Sequence, residues 1–135
     1  MASAAEGKTI AQMLLESARQ DVAACKLLSA EISIGDAVVG FHAQQAVEKS
    51  IKAILSQGGI EFRRTHDLIA LLDLLQDKGI PAPPNADWLD ELNPYAVEAR
   101  YGTLEPTGLD RSHVLGAIEA VLAWAHLQIA TSSTS

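Results

Sequence analysis

Apolar residues recur at three- and four-residue spacing along most of this chain, and no segment alternates as a half-buried strand must. That periodicity is punctuated by "SIGD" at 33–36, "GG" at 58–59, "PAPPN" at 81–85 and Pro94. Only helices joined by short turns satisfy both observations. Of the residues, 48% are hydrophobic but only six are aromatic, so Ala, Leu and Ile carry the apolar load and favour closely packed helices. At 135 residues the chain is expected to form one domain.

The spacing predicts a first helix opening at Thr9, with Gln12 completing a capping box, and running to about Ala30. Its inward face is read as Ile10, Met13, Leu14, Ala18, Cys25 and Leu28. Asp36 is a candidate cap for a second helix that continues to Gln57 and stops at the glycine pair. Thr65 is a candidate cap for a third, carrying Leu68, Leu71, Leu72 and Leu75 and ending at Gly79. A fourth helical region is broken at Pro94, where Asn93 as cap and a Leu92–Val97 staple predict a fresh start that ends at Gly102. The last helix is predicted from Asp110 to about Ala130, with Val114, Ala117, Ile118, Val121, Leu122, Ala125 and Ile129 inward. The expected fold is all-α: an antiparallel up-and-down helical bundle of four main helices plus a short or kinked extra helix. The small polar ends, 1–8 and 131–135, are expected to be disordered tails.

The formal charge of −7 argues against bulk DNA binding across the surface. One cysteine, Cys25, excludes an internal disulfide and a cysteine-rich zinc site, and its apolar neighbours make it a core residue. No signal peptide is evident and no apolar stretch reaches the ~20 residues of a membrane span, so a cytoplasmic setting without membrane contact is expected. Phosphate-cradling glycine loops, paired metal-binding histidines and nucleophile elbows are missing, so neither metal nor cofactor is expected.

The second helix is the exception to a simple amphipathic pattern. In "FHAQQAVEKSIKAIL", 41–55, one arc holds Ala46, Val47, Ile51, Ala53 and Ile54, and the opposite arc holds His42, Gln44, Gln45, Glu48, Lys49 and Lys52. Val38, Phe41 and Leu55 also fall in the polar arc, which predicts contact on both sides, with the bundle and with a second body. The polar arc is either a solvated flank or a partner surface. Between His42 and His66, four basic residues face two acidic ones, a locally basic window on an acidic chain that suits a phosphate-bearing ligand or an acidic partner.

Together, "FHAQQAVEKSIKAIL", "FRRTHDL" and "NPYAVEARY" resemble the HEPN family (higher eukaryotes and prokaryotes nucleotide-binding), over about Ala18 to Ile129. The resemblance implies a small all-α bundle, self-association as a homodimer, and frequent pairing with a minimal nucleotidyltransferase in toxin–antitoxin modules. Several branches are metal-independent endoribonucleases carrying Arg, four to six residues, then His. That spacing is absent here: His42, His113 and His126 lack an upstream Arg at that distance, and His66 follows Arg64 and Arg63 too closely. The resemblance therefore points to a non-catalytic type, with His42, Gln45, Glu48, Lys49, Lys52, Arg64, His66, Tyr95, Arg100 and Tyr101 lining a shared polar groove for a nucleotide or small phosphate. The alternative is a divergent ribonuclease using Arg64 and His66. Read from the residues alone, the same set is bracing: Thr65 or Asp67 caps a helix, Arg64 pairs with Glu48, His66 is a neutral hydrogen-bonder, and the tyrosines are core. Tyr95 and Tyr101 are also the tyrosines on which a partner nucleotidyltransferase would act.

Overall fold

The structure, a computed structural model, describes residues 3–96 and 108–133. Among the described residues the bundle is built from α1 (Ala4–Ser29), α2 (Asp36–Gln57), α3 (Leu68–Asp77) and α4 (Arg111–Ser133), with a 3-10 turn at Leu89–Leu92. No strand occurs among the described residues.

Helices α1 and α2 make the most extensive pairing, and they pair antiparallel. Gly7 of α1 lies against Ser56 of α2, and Asp21 of α1 against His42, which fixes their register. The contact is close because the facing residues are small: Ala11 and Ala18 from α1, Ala43, Ala46 and Ala53 from α2, all buried. Helix α2 also packs on α3, on α4 and on the 3-10 turn, so it is the central element. Of the three apolar residues in its polar arc, Leu55 is fully buried by the chain itself, while Phe41 is half-buried and Val38 is 40% exposed.

Two turns share one solution. Gly59 (φ +68°) and Gly79 (φ +71°) follow α2 and α3, and Ile60 and Ile80 then donate back to the carbonyls of Leu55 and Leu75. Each glycine supplies the left-handed conformation and each isoleucine drops onto the bundle, satisfying carbonyls a helix end would leave orphaned.

Several helix starts differ from those read in the sequence. Helix α1 opens at Ala4, not Thr9, because the Ser3 hydroxyl accepts from the Glu6 N–H. Residues 4–8 are thus helical rather than tail, and α4 likewise extends through Ser133. Ile10 and Met13 face outward (41% and 66% exposed), since the buried stripe of α1 is Ala11, Leu15, Ala18, Val22 and Cys25. Asp36 is the first residue of α2 rather than its cap, and its carboxylate instead receives the Arg111 guanidinium (Nε to Oδ1, 2.9 Å) and the Leu109 N–H. Arg111 also donates to the carbonyls of Leu28, Ser29, Glu31 and Ile34, closing the end of α1 and anchoring the start of α4. Asp67, not Thr65, caps α3 through the Ile69 N–H. Asn93 turns back onto that cap: its Oδ1 accepts from the Leu68 N–H and its Nδ2 donates to Asp67. The predicted staple to Val97, and the helix end at Gly102, lie outside the described residues.

Helix α4 packs Val114, Ile118, Val121 and Ala125 into the core. By length and composition alone, its Arg111–Thr131 segment is long and apolar enough to cross a membrane, with mean hydropathy 1.4, which corrects the expectation that every apolar stretch falls short. A core helix meets the same test.

Gly40 sits where α2 meets the chain beyond the 3-10 turn, and a Cβ there would lie 2.2 Å from the Tyr95 ring. Gly40→Ala is expected to force the ring out of its place and destabilise the fold by about 1–3 kcal/mol, despite alanine's better helix propensity. Urea unfolding followed by circular dichroism measures it; an unchanged midpoint would show that the ring is not held there.

Candidate functional site

The polar arc of α2 is not a solvated flank. Gln44 is fully buried and Glu48 is 4% exposed, facing the loop that carries 60–67. An ionised carboxylate accepts hydrogen bonds only, so burying Glu48 requires donors on both its oxygens. Gln44 Nε2 (3.0 Å) and His66 Nδ1 (2.9 Å) reach Oε1, and Lys52 Nζ (3.0 Å) reaches Oε2. Gln44 Nε2 also donates to the His66 backbone carbonyl at 2.9 Å, and Gln45 donates to Gln44 Oε1 at 2.7 Å. Lys52 further lies over the Phe62 ring, 5.7 Å from its centre.

Burial works to raise the Glu48 pKa, but hydrogen bonds from Gln44, His66 and Lys52 outweigh it and hold the carboxyl below its ordinary value. The group is therefore ionised at neutral pH, and His66 Nδ1 must carry the hydrogen it shares. That leaves the other ring edge, on a side chain 54% exposed, facing outward. Arg64 and Arg63, immediately before it in sequence, are exposed and hold no ion pair or hydrogen bond among the described residues.

A second hub lies on the α1 side of the same helix. Asp21, 8% exposed, accepts from Lys49 Nζ at 2.7 Å and lies 3.0 Å from His42 Nδ1. The His42 ring meets the edge of Phe41 at 5.5 Å between centres.

Of the residues singled out in the sequence, Glu48, Lys52 and His66 share one hub, Lys49 and His42 share the other, and Gln45 attaches to the first through Gln44. Arg64 does not pair with Glu48, because Lys52 and His66 already occupy its oxygens. Tyr95 packs against Gly40 and joins neither hub; burial raises its pKa, helped by Asp36 and Glu91, so its hydroxyl stays protonated. Arg100 and Tyr101 lie outside the described residues. Burial likewise raises the pKa of Cys25, away from a reactive thiolate. Among the described residues no cluster of His, Cys, Asp and Glu can hold a metal ion.

Two site residues were missed. Gln44 was read in the polar arc but not as a site residue. Asp21 was not singled out, although its signal was present: it sits three residues after Ala18 and four before Cys25, a carboxylate inside an apolar stripe.

The HEPN domain family model matches residues 11–128, nearly the whole chain and all of this network. The chain belongs to the HEPN domain family. Neither a curated protein nor a solved structure matches it. Within this HEPN domain the Arg and His of the site sit on one loop, braced by a carboxylate from α2.

Because the Glu48 pKa is depressed in the folded protein, the stability it contributes is present above the ordinary value of 4.5 and is lost as pH falls through the lower folded value. The urea midpoint of the wild type is thus expected to drop on acidification below that point. Glu48→Gln should start lower, by about 3 kcal/mol for a broken buried pair, and show a shallower acid slope. Parallel slopes would mean that Glu48 does not titrate with unfolding.

Proposed function

We propose that this HEPN protein is a nucleotide-binding and interaction module that works as a cytoplasmic homodimer with a minimal nucleotidyltransferase, in a toxin–antitoxin-type pair. The observation that carries the binding part is the Glu48 hub. It neutralises Lys52 internally and fixes His66, yet leaves an imidazole edge and two exposed guanidinium groups, Arg63 and Arg64, that are unpaired among the described residues, on one loop. Guanidinium groups supply forked donors matched to phosphate oxygens, and a braced loop loses little entropy on binding them. A phosphate-bearing ligand would complete the positive charge the network leaves over.

The homodimer reading draws support from α1, where Ile10 and Met13, one turn apart, are exposed. Exposed apolar neighbours of that kind are what a second copy would cover. The nucleotidyltransferase pairing and the toxin–antitoxin role rest on the family resemblance. A single buried, unpaired cysteine fits the reducing cytoplasm.

Titration calorimetry with AMP, GMP and ATP tests the ligand, with Arg64→Glu as the comparison. Arg64 is exposed and has no partner among the described residues, so the variant should fold as the wild type does while binding weakens by about tenfold or more. Absence of heat with every nucleotide would overturn the binding reading. Light scattering should report twice the chain mass, and a nucleotidyltransferase encoded beside the gene should co-purify; a monomer at high concentration, or no co-purification, would remove those parts separately.

A divergent ribonuclease is favoured by one specific observation, the Glu48–His66 contact. A carboxylate holding Nδ1 leaves Nε2 as the edge that could take a proton from an RNA 2′-OH, with Arg64 stabilising the charge that develops on phosphorus. Total RNA incubated with wild type and with His66→Ala distinguishes the readings: the ribonuclease predicts cleavage by the first only, and intact RNA in both ends it.

A further inference from the structure

Away from the α2 network, α3 and the segment 80–90 bound an open cleft of about 630 Å³. Its floor is apolar, with Ile69, Leu72, Leu75 and Ile80, and Ile69 is 46% exposed. Its rim carries Asp73 from α3 and Asp87 and Asp90 from the opposite wall. None of these carboxylates has a hydrogen bond or ion pair among the described residues, whereas Asp21, Asp36, Glu48 and Asp67 are all engaged in bracing. Nor can the three gather around a metal ion. Between Asp67 and Glu91 the sequence places six acidic residues against one base, Lys78.

We propose that this cleft is a docking site for a basic amphipathic segment of a protein partner, one that lays apolar anchors on the Ile69–Leu72–Ile80 floor and places Lys or Arg side chains against Asp73, Asp87 and Asp90. The carboxylates stand on both walls rather than at one focus, so they match charges spaced along a polypeptide better than a single ammonium group. The volume suits two or three side-chain anchors. The complementarity is of the kind that steers association and sets orientation, while the apolar floor supplies the affinity.

The probe is a short helical peptide of Leu and Lys, labelled with a fluorophore and titrated with the full chain. A matched peptide with Glu in place of Lys and spermine are the comparisons. The Leu/Lys peptide should bind and the Leu/Glu peptide should not. Asp73→Asn/Asp90→Asn should weaken binding by about tenfold, as the loss of two rim pairs allows. Glu6→Gln/Glu119→Gln, with the same change of net charge elsewhere on the surface, should leave it unaltered. Ile69→Ser should weaken it as well, with an unchanged circular dichroism spectrum showing that the fold survives. Equal losses in the two charge-matched doubles would reduce the effect to net charge and overturn the proposal. So would spermine binding as tightly as the peptide, or indifference to Ile69→Ser.

Discussion

A carboxylate that is 4% exposed, Glu48, sits on the one helix that every other element touches, and much of the arrangement around it follows from keeping it charged. Desolvation alone would neutralise the group or expel it. Three donors prevent that, and each comes from a definite place: Gln44 one turn earlier, Lys52 one turn later, and His66 from the loop beyond. The loop therefore cannot drift from α2 without leaving a buried charge unpaired, a loss of about 3–5 kcal/mol. Gln44 reinforces the tie through the His66 backbone carbonyl. What would otherwise be a mobile connection becomes part of the bundle, and its outward side presents Arg63, Arg64 and the free edge of His66.

Asp21 plays the corresponding role between α1 and α2. Its two partners, His42 and Lys49, are two turns apart on α2, so a single carboxylate bridges the helix pair along its length. Arg111 does the same between the end of α1, the start of α2 and the start of α4. The three hubs share one logic. A charged group is admitted to the interface only where donors and acceptors from different elements converge, and register is the result. The apolar core alone, rich in Ala and Leu, would tolerate small slips at little loss.

The helices were legible because their period, their glycine stops and their breaks are local properties of the chain. Gly59 and Gly79 end α2 and α3 where the sequence places them, since the left-handed turn needs only the residue itself. The site was legible in part. His42, Glu48, Lys49, Lys52 and His66 could be picked out, but not who pairs with whom: Arg64 was matched to Glu48 and Asp21 was overlooked. Those pairings join residues 18 to 28 positions apart, and side-chain reach across two helices is invisible to a wheel drawn for one. One cap was misplaced for a related reason: Asp36 carries the chemistry of a cap but is claimed by Arg111, whereas at α3 the cap is Asp67, the alternative to Thr65.

By itself, then, the sequence determined an all-helical chain, its punctuation, an acidic balance with a basic window, and a family signature, because each depends on neighbours along the backbone. Tertiary structure alone decided that Gln44 and Glu48 of the polar arc are buried, that Leu55 is covered by this chain rather than a second body, and which of the described carboxylates brace the bundle. Burial and pairing are properties of surfaces brought together, and the free energy that makes a charge a brace or a docking point appears only once water has been removed from one side of it.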